Sequence, residues 1–129
     1  MSSPGKAKGD RGEREVEALL RELLDTSAVR RELGAGRRDD RGDIDGVPRT
    51  CIQVTWRKDL SAAITDKVIA VEQQRKNRRV PFAATFVRRS RNRLPWIVVL
   101  SPQQWALLWK YAQKGYDLAQ KERRAKMTQ

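Results

Sequence analysis

Apolar residues near the N-terminus recur at helical spacing: Val16, Leu19, Leu20, Leu23 and Leu24 fall on one stripe. Positions three and four apart share a helix face, so the pattern predicts a first helix over roughly 10–24. After it the period changes to two. AVRREL (28–33) predicts an edge strand, and 43–47 and 50–56 predict two strands joined by a turn at Gly46–Pro48. Residues 59–77 return to the helical period, with Leu60, Ile64, Val68 and Val71 on one side. PFAATFVRR (81–89) and WIVVL (96–100) predict two further strands. The second is apolar throughout, which predicts burial on both faces. A last helix begins at Ser101-Pro102-Gln103-Gln104, where Ser suits the N-cap, Pro the first helical position and Gln the capping-box position. Trp105, Leu108, Trp109 and Ala112 then form its core face, which makes both tryptophans core residues rather than base-stacking platforms.

The order α-β-β-β-α-β-β-α predicts an α/β fold: a mixed central β-sheet flanked by helices. Two basic loops interrupt it, GAGRRDDRGD (34–43) and SRNRLP (90–95). No repeat or interior linker divides the middle of the chain. The expected organisation is a flexible basic arm over 1–9, one domain over 10–120 and a basic tail over 121–129.

The charge balance points to a partner. Against 16 Asp and Glu stand 28 Lys and Arg, a formal net charge of +12 over 129 residues. That excess predicts a polyanionic partner, with nucleic acid first. A membrane surface is the competing polyanion, but no stretch approaches a transmembrane span and the polar N-terminus carries no secretory signal. A single cysteine, Cys51, excludes an internal disulfide and suits a reducing compartment, so a cytoplasmic protein is expected. With no histidine, His-metal nucleases, Ser-His triads and Cys-His dyads are excluded. What remains for catalysis is carboxylates, amides, hydroxyls and Lys/Arg, a set whose natural metal is a hard cation such as Mg²⁺.

Four residues make a candidate constellation: Glu13 on the first helix, Asp43 at a strand start, and Gln53 and Thr55 on one face of the next strand. At about 100° per residue, Glu13 lies roughly 60° from the centre of the apolar stripe, closer to the interior than Glu15, Glu17 or Glu22. A helix laid over a sheet can bring such a carboxylate to the mouths of two adjacent strands. Two carboxylates and an amide oxygen then make a workable site for a divalent cation. Each residue has an ordinary reading as well. A helix-start Glu complements the helix dipole, Asp after Gly is a common turn residue, and Gln53 suits a half-exposed strand.

KGDRGEREVEALL (8–20), RGDIDG (41–46) and CIQVTWRK (51–58) together resemble the PD-(D/E)XK nucleases. Within that superfamily the chain looks most like the archaeal-type Holliday junction resolvases and their bacteriophage-encoded relatives. The resemblance spans roughly residues 8–112, and its specificity lies in the ordered set of short motifs. It implies a PD-(D/E)XK, restriction-endonuclease-like core with Glu13 and Asp43 as metal ligands. Gln53 falls where the family carries its second strand carboxylate, and Thr55 where it carries lysine. Gln can still ligate Mg²⁺ through its carbonyl oxygen. Thr can orient a water but brings no positive charge, and losing such a contact costs on the order of 10²–10³ in rate.

The reading that follows is a Mg²⁺-dependent endonuclease, with Mn²⁺ as a possible substitute, that resolves four-way junctions and other branched DNA as a homodimer. Glu13, Asp43 and Gln53 would hold the metal, Thr55 would orient water, and Arg57 or Lys58 would supply positive charge. Arg37, Arg38 and Arg41 would grip phosphates near the scissile bond, and Arg88, Arg89, Arg91 and Arg93 would form a second DNA surface. The second helix and the Trp-bearing last helix are the candidate dimer faces. Two alternatives remain open: a DNA-binding protein that kept the nuclease fold without the chemistry, and a restriction-type nuclease acting on linear duplex.

Overall fold

A computed structural model describes residues 4–32, 42–57, 59–89 and 95–128. Three helices and five strands follow in the expected order: α1 (Pro4–Leu23), β1 (Arg30–Arg31), β2 (Ile44–Asp45), β3 (Thr50–Thr55), α2 (Leu60–Arg78), β4 (Phe82–Arg88), β5 (Trp96–Val99) and α3 (Pro102–Met127). The strands form one mixed sheet in the order β1-β2-β3-β4-β5. The pairs β1/β2, β2/β3 and β4/β5 are antiparallel, and β3/β4 is parallel. The parallel pair is the one joined through a helix, as a crossover connection requires. Among the described residues no helix is long and apolar enough to cross a membrane.

The core lies on both sides of β3. Ile52 and Val54 face α1, packing with Val16, Leu20, Val29, Ile44 and Phe86. Cys51 points the other way, against Val71 of α2 and Ala83 of β4. Because each face of β3 has its own helix, residues 51–55 are all buried. Gln53 and Thr55 therefore lie in the interior on the α2 side, only 4% and 3% exposed.

Several expectations are corrected. α1 begins at Pro4 rather than near Asp10, so the arm is helical from there, and α3 runs through the expected tail to Met127. β5 is an edge strand paired with β4 alone, and Val98 is 52% exposed instead of buried. Trp105 and Trp109 are 59% and 51% exposed, stacked on each other on the outer side of α3. The buried residue of this helix is Gln104. Ser101 caps the helix as expected, accepting from the Gln104 amide at 3.1 Å. The Gln104 side chain, however, accepts from Ala83 N at 3.0 Å and donates to Pro81 O at 3.0 Å. It satisfies β4 backbone rather than closing a capping box, and the apolar stripe is left outside.

Candidate active site

The site grows from the place where β2 stops short. β2 has two residues and β3 has six, so the second half of β3 runs past its antiparallel neighbour. Asp43 takes over the unpaired edge. Its amide donates to Ile52 O at 2.8 Å, and its Oδ2 accepts from Val54 N at 2.8 Å. An unpaired buried amide would cost about 1–3 kcal/mol, so the carboxylate is a structural substitute for the missing strand. Gly42 makes the approach possible. Its φ is +92°, and a Cβ there would lie 2.8 Å from the Ile52 carbonyl oxygen.

Glu13 arrives from α1, one turn before the buried Val16, and its carboxyl group is hydrogen-bonded to that of Asp43. Asp43 is pushed up from 3.8 to about 6. Burial is the largest cause, opposed by the Val54 amide. The Glu13 charge and hydrogen bond push it further up, and the Lys67 ammonium pulls it down. On its other side Glu13 is clamped by Arg31, whose Nε and Nη2 reach Oε2 at 3.2 and 3.0 Å. The same guanidinium bonds Asp10 at 3.0 Å.

Gln53 approaches from the α2 side. Its Nε2 donates to Gln74 Oε1 at 2.8 Å, which turns its own Oε1 toward Lys67 Nζ at 3.4 Å. Thr55 follows two residues on, with its Oγ1 buried and without a hydrogen-bond partner among the described residues. Thr85, the register partner of Gln53 on β4, has a hydroxyl in the same condition.

The donors fit a hard divalent cation. Glu13 and Asp43 supply anionic oxygens, Gln53 a neutral one, and the unpartnered Thr55 hydroxyl adds a buried polar atom on the same strand. Among the described residues no group of three or more His, Cys, Asp or Glu side chains is gathered. The structure thus brings Glu13 and Asp43 together, and the Lys67 ammonium acts on Asp43 while reaching Gln53 Oε1 at 3.4 Å.

The expected cationic residues fare differently. Arg57 is exposed beyond β3 and makes no hydrogen bond or ion pair with these groups. Arg88 is spent on the fold: it lies over the rings of Trp56 and Trp96 at 5.0 and 5.7 Å and pairs with Glu15 at 3.7 Å. Arg89 is partly buried at the end of β4. Arg37, Arg38, Arg41, Lys58, Arg91 and Arg93 lie outside the described residues.

Lys67 and Gln74 were missed by the sequence reading. Their signal was present: spaced seven apart on α2, they share a face with the buried Val71, and polar residues on a buried strand face demand polar partners. No protein-family model, curated protein or solved structure matches the chain.

Proposed function

We propose that this protein is a divalent-metal-dependent endonuclease of the PD-(D/E)XK type that acts on branched DNA, four-way junctions above all. The observation that carries the reading is the Glu13–Asp43 carboxyl pair, held against the β3 edge with Asp43 pushed up to about 6. Two carboxyl groups held side by side in a partly buried place are an expensive arrangement for a fold to keep, and perturbed carboxylates of this kind concentrate at functional sites. A Mg²⁺ or Mn²⁺ ion held by Glu13, Asp43 and the Gln53 amide oxygen would discharge the pair, supplying charge to bind a phosphate oxygen and a means to activate water. Thr55 orients the water. The net charge of +12 draws the DNA backbone, and contacts to phosphates read shape rather than sequence. Two copies of the chain cut symmetrically opposed strands, as a symmetric dimer matches a four-way junction. The exposed Trp105–Trp109 face of α3 supports such pairing.

A second reading rests on Arg31. Its guanidinium already neutralises Glu13, as a permanent internal cation would in a DNA-binding protein without chemistry. Cleavage of a labelled four-way junction beside a linear duplex, in Mg²⁺, Mn²⁺ and chelator, separates the readings. Metal-dependent paired nicks that disappear in Asp43→Ala support the endonuclease. Tight junction binding without cuts in either metal supports the binding protein.

A further inference from the structure

Lys67 is held only loosely by the fold. Its Nζ reaches Gln53 Oε1 at 3.4 Å, the long end of hydrogen-bond range. Among the described residues no carboxylate lies within ion-pair distance of it, although Glu13 and Asp43 form the nearby acidic pair. An ammonium has three protons to donate, and here one goes to a neutral amide at long range. The position is nevertheless defined. Gln74 turns the Gln53 amide so that its oxygen faces Lys67, and Lys67 is partly buried where α2 crosses the polar half of β3.

On β3 itself no cation reaches this point. Thr55 ends the strand with a buried, unpartnered hydroxyl, and Arg57 is exposed beyond it. The ammonium that reaches the Gln53 amide and whose charge acts on Asp43 comes instead from the helix across the sheet. With donors to spare, it is placed to take an anionic oxygen brought to the Glu13–Asp43–Gln53 group.

We propose that Lys67 contacts a non-bridging oxygen of the scissile phosphodiester and stabilises the negative charge that develops there during hydrolysis. The proposal rests on the endonuclease reading above and adds a catalytic residue to it. Lys67 stays protonated throughout. Its action is electrostatic, and no proton passes to or from it.

The test is single-turnover cleavage of a four-way junction at saturating Mg²⁺ by the full chain and by Lys67→Met, Lys67→Arg and Lys67→Met/Thr55→Lys. Junction affinity in chelator and thermal unfolding are measured for each. Lys67→Met is expected to cut about 10²–10³-fold more slowly while keeping its junction affinity within about threefold and its unfolding transition. Lys67→Arg keeps a larger share of the rate. The double variant regains at least about tenfold over Lys67→Met, because a charge offered from β3 serves the same oxygen. If Lys67→Met loses its unfolding transition, Lys67→Gln takes its place in the comparison. A charge-free variant that cuts within about threefold of the parent overturns the assignment and leaves the endonuclease standing. So does a slowing matched by an equal loss of junction affinity. A double variant no faster than Lys67→Met overturns the idea that both positions address one oxygen. A parent protein that binds the junction and cuts it in neither metal overturns both readings.

Discussion

Asp43 accepts the Val54 amide at 2.8 Å, and that bond gives a buried carboxyl group a structural duty at the edge of the sheet. The duty requires an acceptor, not a charge. An asparagine would satisfy Val54 equally well, so the charge of Asp43 is a burden that the fold alone does not explain.

The burden is measurable. The unfolded chain ionises Asp43 near 3.8 and the folded chain near 6. Folding favours the protonated form, so this contribution is fully present below about pH 3.8 and lost as pH rises through about 6. At about 1.4 kcal/mol per pKa unit, keeping Asp43 ionised costs the metal-free fold about 3 kcal/mol at neutral pH. Asp43→Asn is expected to be more stable than the parent by up to that amount at pH 7–8 in chelator, and by nothing below pH 3.8. Urea unfolding across pH reads the difference. Asp43→Ala removes the acceptor as well, leaves Val54 N unpaired and loses about 1–3 kcal/mol of any such gain.

The amide pair predicts non-additivity. Gln74→Leu leaves the Gln53 Nε2 without its 2.8 Å partner in a buried place, at a cost of about 1–3 kcal/mol. Gln53→Leu takes away the donor that Gln74 Oε1 accepts from at 2.8 Å. The double variant removes both polar groups and is expected to be more stable than the sum of the single losses by about 1 kcal/mol or more. A double-mutant cycle from urea unfolding checks this.

Arg31 competes for Glu13. Its guanidinium bonds Glu13 and Asp10, each at 3.0 Å. Arg31→Met is expected to weaken the metal-free fold and to tighten Mn²⁺ binding several-fold, on the order of 1 kcal/mol, because a cation is removed from a site that then takes another. Calorimetric titration of the parent and the variant measures the change.

Binding to DNA is expected to depend steeply on salt. If about six phosphates are neutralised, junction affinity falls about a thousandfold between 50 and 200 mM salt. Fluorescence anisotropy on a labelled junction gives the slope directly.

Much of the fold was legible because its signals are local. The stripe through Val16 and Leu20, the turn at Gly46 and the Ser101-Pro102 helix start each carry their own instruction, and the strand and helix order follows. The exposure of Trp105 and Val98 was not legible, because an apolar residue does not say whether another element of its own chain covers it. The approach of Glu13 to Asp43 was readable from helical phase and position in a strand. Lys67 and Gln74 were not legible, because the apolar stripe of α2 is a local signal and its polar face is not. That face has meaning only once β3 is known to turn Gln53 and Thr55 inward.

Calorimetric Mn²⁺ titration of the metal-free protein at pH 5 and pH 7.5, beside Asp43→Asn, tests most directly whether the carboxyl pair is a cation site on which cutting depends. One site per chain is expected. Its affinity should weaken by about tenfold per pH unit below the Asp43 transition near 6, and it should be lost in Asp43→Asn. Equal binding by the parent and Asp43→Asn, or binding that does not change between the two pH values, would contradict it.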